Sequence, residues 1–470
     1  MRTPLPERFV ETMHEALGAD AERLFAALDT EPAVSIRLNP AKPAECFDGE
    51  AVGWCKWGKY LAERPQFTLD PLLHGGAYYV QEASSQFVAH LLANHDMEGK
   101  RVLDMCAAPG GKTTIYSTLV GRKGLVVAND ISHSRAMALA DNVQRWGMGN
   151  VVVTCNEPAH IGAFTHWFDV VAVDAPCSGE GMFRKMDEAR SEWTASSPDV
   201  CAERQREILA EAWRVLRPGG TLIYSTCTFN PTEDEGVVEW LMSEYGEELE
   251  SADRVDVSED WGVVRSDIGA FQCFHFYPHK ARGEGFFAAI ARKCDGAIRR
   301  SMPKARRKLF SQCAKADVKE LSRWVDDASE HSFMMVGEDI YAYNSAVADA
   351  VVTLSENLSV VYSGVAMGRI FKQKLFISDK WSGEKMTPLI TPPNLDGDPF
   401  FTPFKYASLS LPKRISAVCS RFSAKKVIFI SAQSLSYAII SLSLAPRKLL
   451  APEKSQIASK ILVFPWAFSP

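Results

Sequence analysis

The chain is expected to fold as an α/β protein around a parallel sheet covered on both faces by helices. From about residue 100, strand-like and helix-like segments alternate, and the strand segments are continuous apolar runs, as strands buried on both faces are. A third observation fits this: the residues able to do chemistry stand just after these strands, at the edge where such sheets bind ligands. In chain order the pattern predicts a strand over 101–105, a helix over 112–120, a strand over 125–129, a helix over 133–146, and strands over 151–155 and 168–174. A helix over 203–216 stopped by Arg217-Pro218-Gly219-Gly220, a strand over 221–226, a helix over 233–245 and a last strand over 285–291 complete the set. Ahead of this core, Phe9, Val10, Met13, Leu17, Leu24, Phe25 and Leu28 fall at helical spacing. Residues 34–39 read as a strand ended by Pro40, so the N-terminus is expected to form a small α/β module.

At 470 residues the chain is long enough for two or three domains, and 46% hydrophobic residues provide their cores. Its eleven cysteines, at 46, 55, 106, 155, 177, 201, 227, 273, 294, 313 and 419, form no Cys-x-x-Cys pair and no ligand-like spacing. Reduced thiols in a cytoplasm, and no metal site, are therefore expected. The first residues hold no apolar core of signal-peptide length. A net charge of −6 argues at face value against a nucleic-acid partner, but it is unevenly spread. Residues 229–270 hold thirteen acids against two arginines, whereas residues 291–323 hold eleven Lys/Arg against three acids and read as a linker or a polyanion-facing surface. From 401 to 470, ten Lys/Arg accompany a single acid, Glu453, with many serines, a composition that a shifted reading frame would also produce. Within it, 427–445 is nineteen uncharged residues, but five serines and a glutamine make it a poor membrane span, and none is expected.

The segment after the first core strand, Met105-Cys106-Ala107-Ala108-Pro109-Gly110-Gly111-Lys112-Thr113, ends like a phosphate-binding loop. Cys106 stands where that motif needs its first glycine, and there is no Gly-x-Gly-x-x-Gly either, so neither a triphosphate nor a dinucleotide is favoured. Small residues at 107, 108, 110 and 111 let a ligand approach the backbone. Asp130, just past the second strand, is placed where a carboxylate accepts both hydroxyls of a ribose. A tight turn or a surface aspartate would explain either feature alone; together they suit S-adenosylmethionine.

Cys177 follows one strand in Asp174-Ala175-Pro176-Cys177-Ser178-Gly179, and Cys227 follows the next in Ser225-Thr226-Cys227-Thr228. Buried cysteines are usually inert filler, a reading that suits most of the others but fits two thiols on one ligand-binding edge badly. Methylation of an unreactive aromatic carbon needs such thiols. Carbon 5 of cytosine becomes nucleophilic once a thiolate has added to carbon 6, and a carboxyl group near ring nitrogen 3, a place Asp174 can take, stabilises the adduct.

The run Asp104–Thr114, the Asp174–Gly179 box, and Ser225–Thr228 followed by Glu233-Asp234-Glu235 resemble the NOL1/NOP2/Sun family of RNA cytosine-5 methyltransferases. Residues 78–85, 179–185 and 36–40 resemble its bacterial RsmF type, which modifies small-subunit ribosomal RNA. The resemblance, over about 5–295, implies a Rossmann-like class I S-adenosylmethionine-dependent methyltransferase core at 86–295 and an N-terminal RNA-binding α/β module at 1–85. A basic linker at 296–325 and a C-terminal RNA-binding, PUA-like region at 326–470, atypical after about 380, would follow. It implies Cys227 as nucleophile, Cys177 as the thiol that assists release, and Asp174 at the base and the methionine end. Cys106, Ala107, Ala108, Pro109, Gly110, Gly111 and Lys112 would form the cofactor loop, with Asp130 at the ribose and Asn156 or Glu157 at the adenine. Arg37, Asn39, Tyr79 and Gln81 are expected on RNA-facing surfaces, and a monomer acting on RNA, with no membrane and no metal, is the expected assembly. Two alternatives stay open: Cys177 as the nucleophile, and an RNA-binding assembly factor with a vestigial site.

Overall fold

The computed structural model describes residues 2–42, 47–301, 303–305, 308–325, 327–371 and 374–377, and three strand segments farther on, Ile428–Ala432, Leu435–Ser441 and Ile461–Pro465. Apart from those segments, the expectations for residues after 380 lie outside the described residues. Ile428–Ala432 and Leu435–Ser441, within the nineteen-residue uncharged run, pair as antiparallel strands. Among the described residues no helix is long and apolar enough to cross a membrane.

Helical spacing at the N-terminus becomes two helices, α1 (Glu7–Leu17) and α2 (Ala21–Leu28), broken at Gly18, whose φ of +57° a glycine adopts without strain. Their apolar stripe, Phe9, Met13, Leu24 and Leu28, is buried against Phe183, Trp193, Phe229 and Tyr277 of the following region. Strands β1 (Val34–Leu38), β2 (Glu50–Ala51), β3 (Gly58–Leu61) and β4 (Tyr78–Val80) form a separate antiparallel sheet in the order β2-β3-β1-β4.

The core is a ten-stranded sheet. Its parallel centre comprises β5 (Arg101–Asp104), β6 (Leu125–Asn129), β7 (Val151–Thr154), β8 (Phe168–Asp174) and β9 (Leu216–Thr226), in the order β9-β8-β5-β6-β7. Helices α3 (Gly111–Val120), α4 (His133–Trp146), α5 (Ser197–Val215) and α6 (Glu235–Tyr245) connect and cover these strands. Two hydrophobic clusters, one containing Leu103, Val127 and Val171 and the other Val102, Val126 and Val170, lie on its opposite faces, because successive strand residues point to opposite sides.

The sheet is not wholly parallel, which corrects the expectation. Short β10 (Leu249–Glu250), the hairpin of β11 (Val264–Ile268) and β12 (Phe271–Phe276), and β13 (Phe286–Lys293) add antiparallel strands beyond β9. β11 has five partly exposed residues inside the acidic block, so its apolar signal is faint, whereas every position of β12 is buried. Helix α5 starts six residues before the expected 203, with Pro198 in its first turn and Asp199 beside it, both favourable there.

Five strands between Ser311 and Ile377 form a second antiparallel sheet. Its strands are β14 (Ser311–Gln312), β15 (His331–Val336), β16 (Asp339–Asn344), β18 (Val365–Phe371) and β19 (Lys374–Ile377). Helix α7 (Ser345–Asn357) buries Val347, Val351 and Leu354 in the same cluster as Trp167, Phe168 and Leu216 of the core. The next strand, β17 (Val360–Ser363), leaves its own sheet and pairs antiparallel with β7, extending the core sheet at that edge. No sequence signal pointed to this exchange, since an edge strand joins whichever neighbour leaves its backbone groups unpaired.

Candidate active site

Loops at the carboxyl ends of β5, β6 and β7 build one half of the site. Between β5 and α3, Gly110 has φ +108°, and a Cβ there would stand 2.9 Å from Leu139 Cδ1, so only glycine fits this turn. The loop is braced from behind: Ala107 N–H donates to the Asn129 carbonyl at 2.8 Å, and Tyr79 Oη and Asn142 Nδ2 donate to the Pro109 carbonyl at 3.1 and 2.8 Å. The Cys106 thiol is pushed up by burial and stays protonated. Asp130, past β6, is only 2% exposed; its Oδ1 accepts the Ser132 N–H at 3.0 Å and its Oδ2 meets the exposed Arg135 at 3.2 Å. These features fit S-adenosylmethionine: a loop of small residues close to the backbone, and a buried carboxylate with acceptor capacity left for a diol.

Asp104, the last residue of β5, is a site residue that the sequence reading assigned to no role. It is 1% exposed, accepts from Thr113 Oγ1 at 2.6 Å, and its other oxygen is buried with no partner. Burial pushes its carboxyl up to about 7. The unfolded chain ionises Asp104 near the ordinary carboxylate value while the folded chain keeps the proton. Stability therefore falls as pH rises from about 4 to about 7, by on the order of 4 kcal/mol, and is flat above. Asp104→Asn removes this contribution: unfolding midpoints measured from about pH 4.5 to about pH 8 should fall less for the variant than for the parent. Parallel curves would refute the assignment.

The other half hangs from β8 and β9, neighbours in register with Asp174 beside Ser225. Turns of equal purpose after each strand carry Cys177 and Cys227 toward one another until their Sγ atoms are 3.0 Å apart, both reduced. Cys227 N–H also points at Cys177 Sγ, 3.3 Å away. The hydrogen bond from the Cys177 thiol lowers the Cys227 pKa, with Lys112 adding to this, against burial and the nearby Asp174 carboxylate. The same bond, together with burial, raises Cys177 well above the ordinary thiol value. Within the pair, Cys227 is the more readily ionised thiol and Cys177 the one held protonated.

Around it, Lys112 Nζ contacts Asp174 Oδ2 at 2.8 Å, and Ser225 Oγ donates to Asp174 Oδ1 at 2.7 Å. Burial opposes the charge on Lys112, but Asp174 more than offsets it and the ammonium is held charged. Glu233 fixes the Cys177 turn by accepting from Ser178 N–H and Gln205 Nε2, both at 2.9 Å, while Gln205 also donates to the Pro176 carbonyl at 3.0 Å. Burial raises Glu233 to about 7. Gly181 N–H donates to the Cys227 carbonyl at 2.8 Å, and a Cβ at 181 would come within 2.6 Å of that oxygen, so the turn after Cys177 closes over Cys227 only with glycine there.

The structure thus brings Cys177 against Cys227 and Lys112 against Asp174, with Lys112 and Asp174 close enough to influence Cys227 electrostatically, and places Asp130, Asn156 and residues 106–111 along adjacent strand ends. Glu180, whose carboxylate accepts from Asn230 Nδ2 at 3.0 Å and from Phe229 N–H at 3.3 Å, and Gln205 were missed as supports of this site. The expectation of RNA-facing Arg37, Asn39 and Gln81 is corrected. They are 0%, 2% and 6% exposed, and Asn39 Nδ2 donates to the Gly76 and Trp146 carbonyls at 2.8 Å. The resemblance implied RNA-facing positions for these three, but they bolt the N-terminal sheet to α3 and α4. Glu157 is exposed, and the Asn156 side chain is buried against Ser359.

Two family models match the chain in tandem: the N-terminal domain of 16S rRNA methyltransferase RsmF over residues 5–83, and 16S rRNA methyltransferase RsmB/F over residues 89–292. Over residues 5–83 and 89–292 the chain is thus similar to 16S rRNA methyltransferases of the RsmB/F kind. Ribosomal RNA small subunit methyltransferase F of Pectobacterium atrosepticum is 34% identical over 308 residues, covering 62% of this chain and 63% of its own length. That of Salmonella paratyphi B is 35% identical over 306 residues, covering 61% and 63%. The chain therefore spans less than two thirds of these curated relatives. Among solved structures, a methyltransferase homologue from Pyrococcus horikoshii is 29% identical with a TM-score of 0.50, covering 61% of this chain and 94% of its own. NSun6 from the same organism, solved with SFG, shares the fold at 20% identity and a TM-score of 0.53, over 62% and 99%. The RsmB/F match places Cys177, Cys227, Asp174 and Asp130 all within the second model's span.

Proposed function

We propose that this chain transfers a methyl group from S-adenosylmethionine to carbon 5 of a cytosine in small-subunit (16S) ribosomal RNA, through a covalent adduct with Cys227. The observation that carries the reading is the thiol pair 3.0 Å apart with opposite pKa shifts, beside the Lys112–Asp174 ion pair. A pair of that kind has no use in a protein that only binds RNA. The similarity of residues 89–292 to the 16S rRNA methyltransferase RsmB/F model, and of residues 5–83 to the RsmF N-terminal domain, supports the methyltransferase part of the reading.

When bound, the cofactor supplies an electrophilic methyl sulfonium. Gly110, Gly111, Asp130 and the loop from Cys106 would hold it, and the chain's own residues do the rest. Cys227 adds as thiolate to carbon 6, which gives carbon 5 nucleophilic character. Asp174, held by Lys112 and Ser225, orients the base from the ring nitrogen 3 side. Once carbon 5 carries the methyl group, its proton passes to solvent, the C5–H electron pair restores the C5–C6 double bond, and the C6–S bond breaks; the Cys177 thiol, 3.0 Å from the Cys227 sulfur, donates to the departing thiolate. A base reaches this edge only out of its stack, so loop or single-stranded RNA, with the target flipped between the ends of β8 and β9, is the substrate form.

Methyl transfer from labelled cofactor to ribosomal subunits and to free 16S RNA, followed by bisulfite mapping, tests the reading. Label should appear at 5-methylcytosine; label on another base, or on no RNA, would sink it.

A further inference from the structure

Asn156 stands where an adenine contact was expected, yet both polar ends of its side chain are already engaged. Ser359 donates its backbone N–H to Asn156 Oδ1 at 3.1 Å, and the Ser359 carbonyl accepts from Asn156 Nδ2 at 3.4 Å. That carbonyl also accepts the Cys155 N–H at 2.9 Å. Ser359 directly precedes β17, the strand that adds itself to β7. Behind Asn156 stands Asn129, at the end of β6. Its Oδ1 accepts from Asn156 N–H at 3.0 Å and from Thr154 Oγ1 at 2.8 Å, while its Nδ2 donates to the Asn156 carbonyl at 2.9 Å and to the Met105 carbonyl at 3.4 Å. The Asn129 carbonyl accepts the Ala107 N–H at 2.8 Å. A hydrogen-bonded path therefore runs from Ser359 through Asn156 and Asn129 to the loop that follows β5, and Asn129 is the chain neighbour of Asp130.

We propose that residues 358–363 are a built part of the cofactor site: Ser359 positions Asn156 and, through Asn129, the Met105–Ala107 loop, so that cofactor affinity depends on a strand outside the family-matched residues. This rests on the reading that the pocket takes S-adenosylmethionine. Without the clamp, the Cys155–Asn156 turn has more conformations open to it, and the apparent affinity falls with the fraction in which the loop is ready for the ligand. Asn156 and Ser359 are thus positioning residues that act through the backbone. The groups involved are amides, so the effect should not depend on pH.

Calorimetric binding of S-adenosylhomocysteine to the full chain and its variants provides a test that does not need turnover. Ser359→Ala leaves the main chain intact and should bind within about twofold of the parent. Ser359→Pro removes the N–H given to Asn156; Leu358, at φ −112° and ψ 160°, already has the extended backbone that a residue before proline requires. Ser359→Pro and Asn156→Ala should each weaken binding by about tenfold, the worth of one or two hydrogen bonds. The double variant should bind no worse than the weaker single one, because both remove a shared contact. Ser359→Pro binding within twofold of the parent, or effects that multiply in the double variant, would overturn the proposal, the second by making Asn156 a direct contact. Should Ser359→Pro melt as unfolded, hydrogen exchange of Asn156→Ala decides: a faster Ala107 amide supports the path and an unchanged one refutes it. A parent that binds no S-adenosylhomocysteine would refute the cofactor reading instead, and the exchange measurement would still test the path by itself.

Discussion

Cys227→Ser should reduce methyl transfer by at least about a thousandfold, whereas Cys177→Ser should accumulate a protein–RNA adduct that survives a denaturing gel. A serine hydroxyl at 227 is far too weak an acid for the Cys177 thiol and Lys112 to ionise it, so addition to carbon 6 fails at the first step. Loss of the 177 thiol acts later. The adduct forms, but the thiol that stabilises the departing Cys227 thiolate from 3.0 Å away is gone, and elimination slows. The direction of the two shifts favours Cys227 as the nucleophile of the pair. Cys227 is the thiol held down, by the Cys177 hydrogen bond first and by Lys112, and Cys177 is the thiol held up. Single-turnover rates should rise with pH until Cys227 is fully ionised and then level. Lys112→Met removes a charge that favours the thiolate, so the rising limb should move to higher pH. An adduct that persists in Cys227→Ser would reverse the roles.

Much of this was legible in the chain because it rests on local rules. The strands of the parallel centre were readable since each carries a continuous apolar run, such as Val126–Ala128 or Val170–Val173; β6, α4 and β8 start and stop where the pattern put them. The residues at the strand ends were readable because a parallel sheet sends its loops to a single edge. What stayed hidden depended on long-range pairing. β11 has no buried position to announce it, and β17 carries nothing to say that its partner is β7 rather than its own sheet. Asp104 looked like an ordinary strand end, and only its 1% exposure and unpartnered oxygen mark it. Arg37 and Gln81, which the resemblance put at an RNA-facing surface, were hidden in the same way: polar groups are exposed on average, but not where they satisfy one another across two elements.

Arg37 gives that last point a measurable form. Its guanidinium is fully buried, donates from Nε to Gln81 Oε1 at 2.8 Å and from Nη2 to the Gly111 carbonyl at 3.2 Å and to Thr114 Oγ1, and lies 4.4 Å from the centre of the Trp146 ring. β1 is thereby tied to the first turn of α3 and to the last residue of α4, on either side of the cofactor loop. Burial lowers the Arg37 pKa to about 10, which still leaves it charged at neutral pH. Arg37→Ala leaves the buried Gln81 Oε1 without its donor, although the Gly111 carbonyl keeps Thr114 Oγ1, and opens a void beside Trp146. Denaturant unfolding should show a loss of about 3 kcal/mol, near the upper range for single substitutions and typical of a broken buried polar network. An arginine on an RNA-facing surface would behave in the opposite way. Its removal would leave stability nearly unchanged, while the dependence of RNA affinity on salt would become shallower by about one counterion. For Arg37 the salt dependence should be unaltered, because a guanidinium enclosed by Gln81, Gly111, Thr114 and Trp146 neutralises no phosphate; an unchanged unfolding midpoint with a shallower salt slope would return it to the RNA surface.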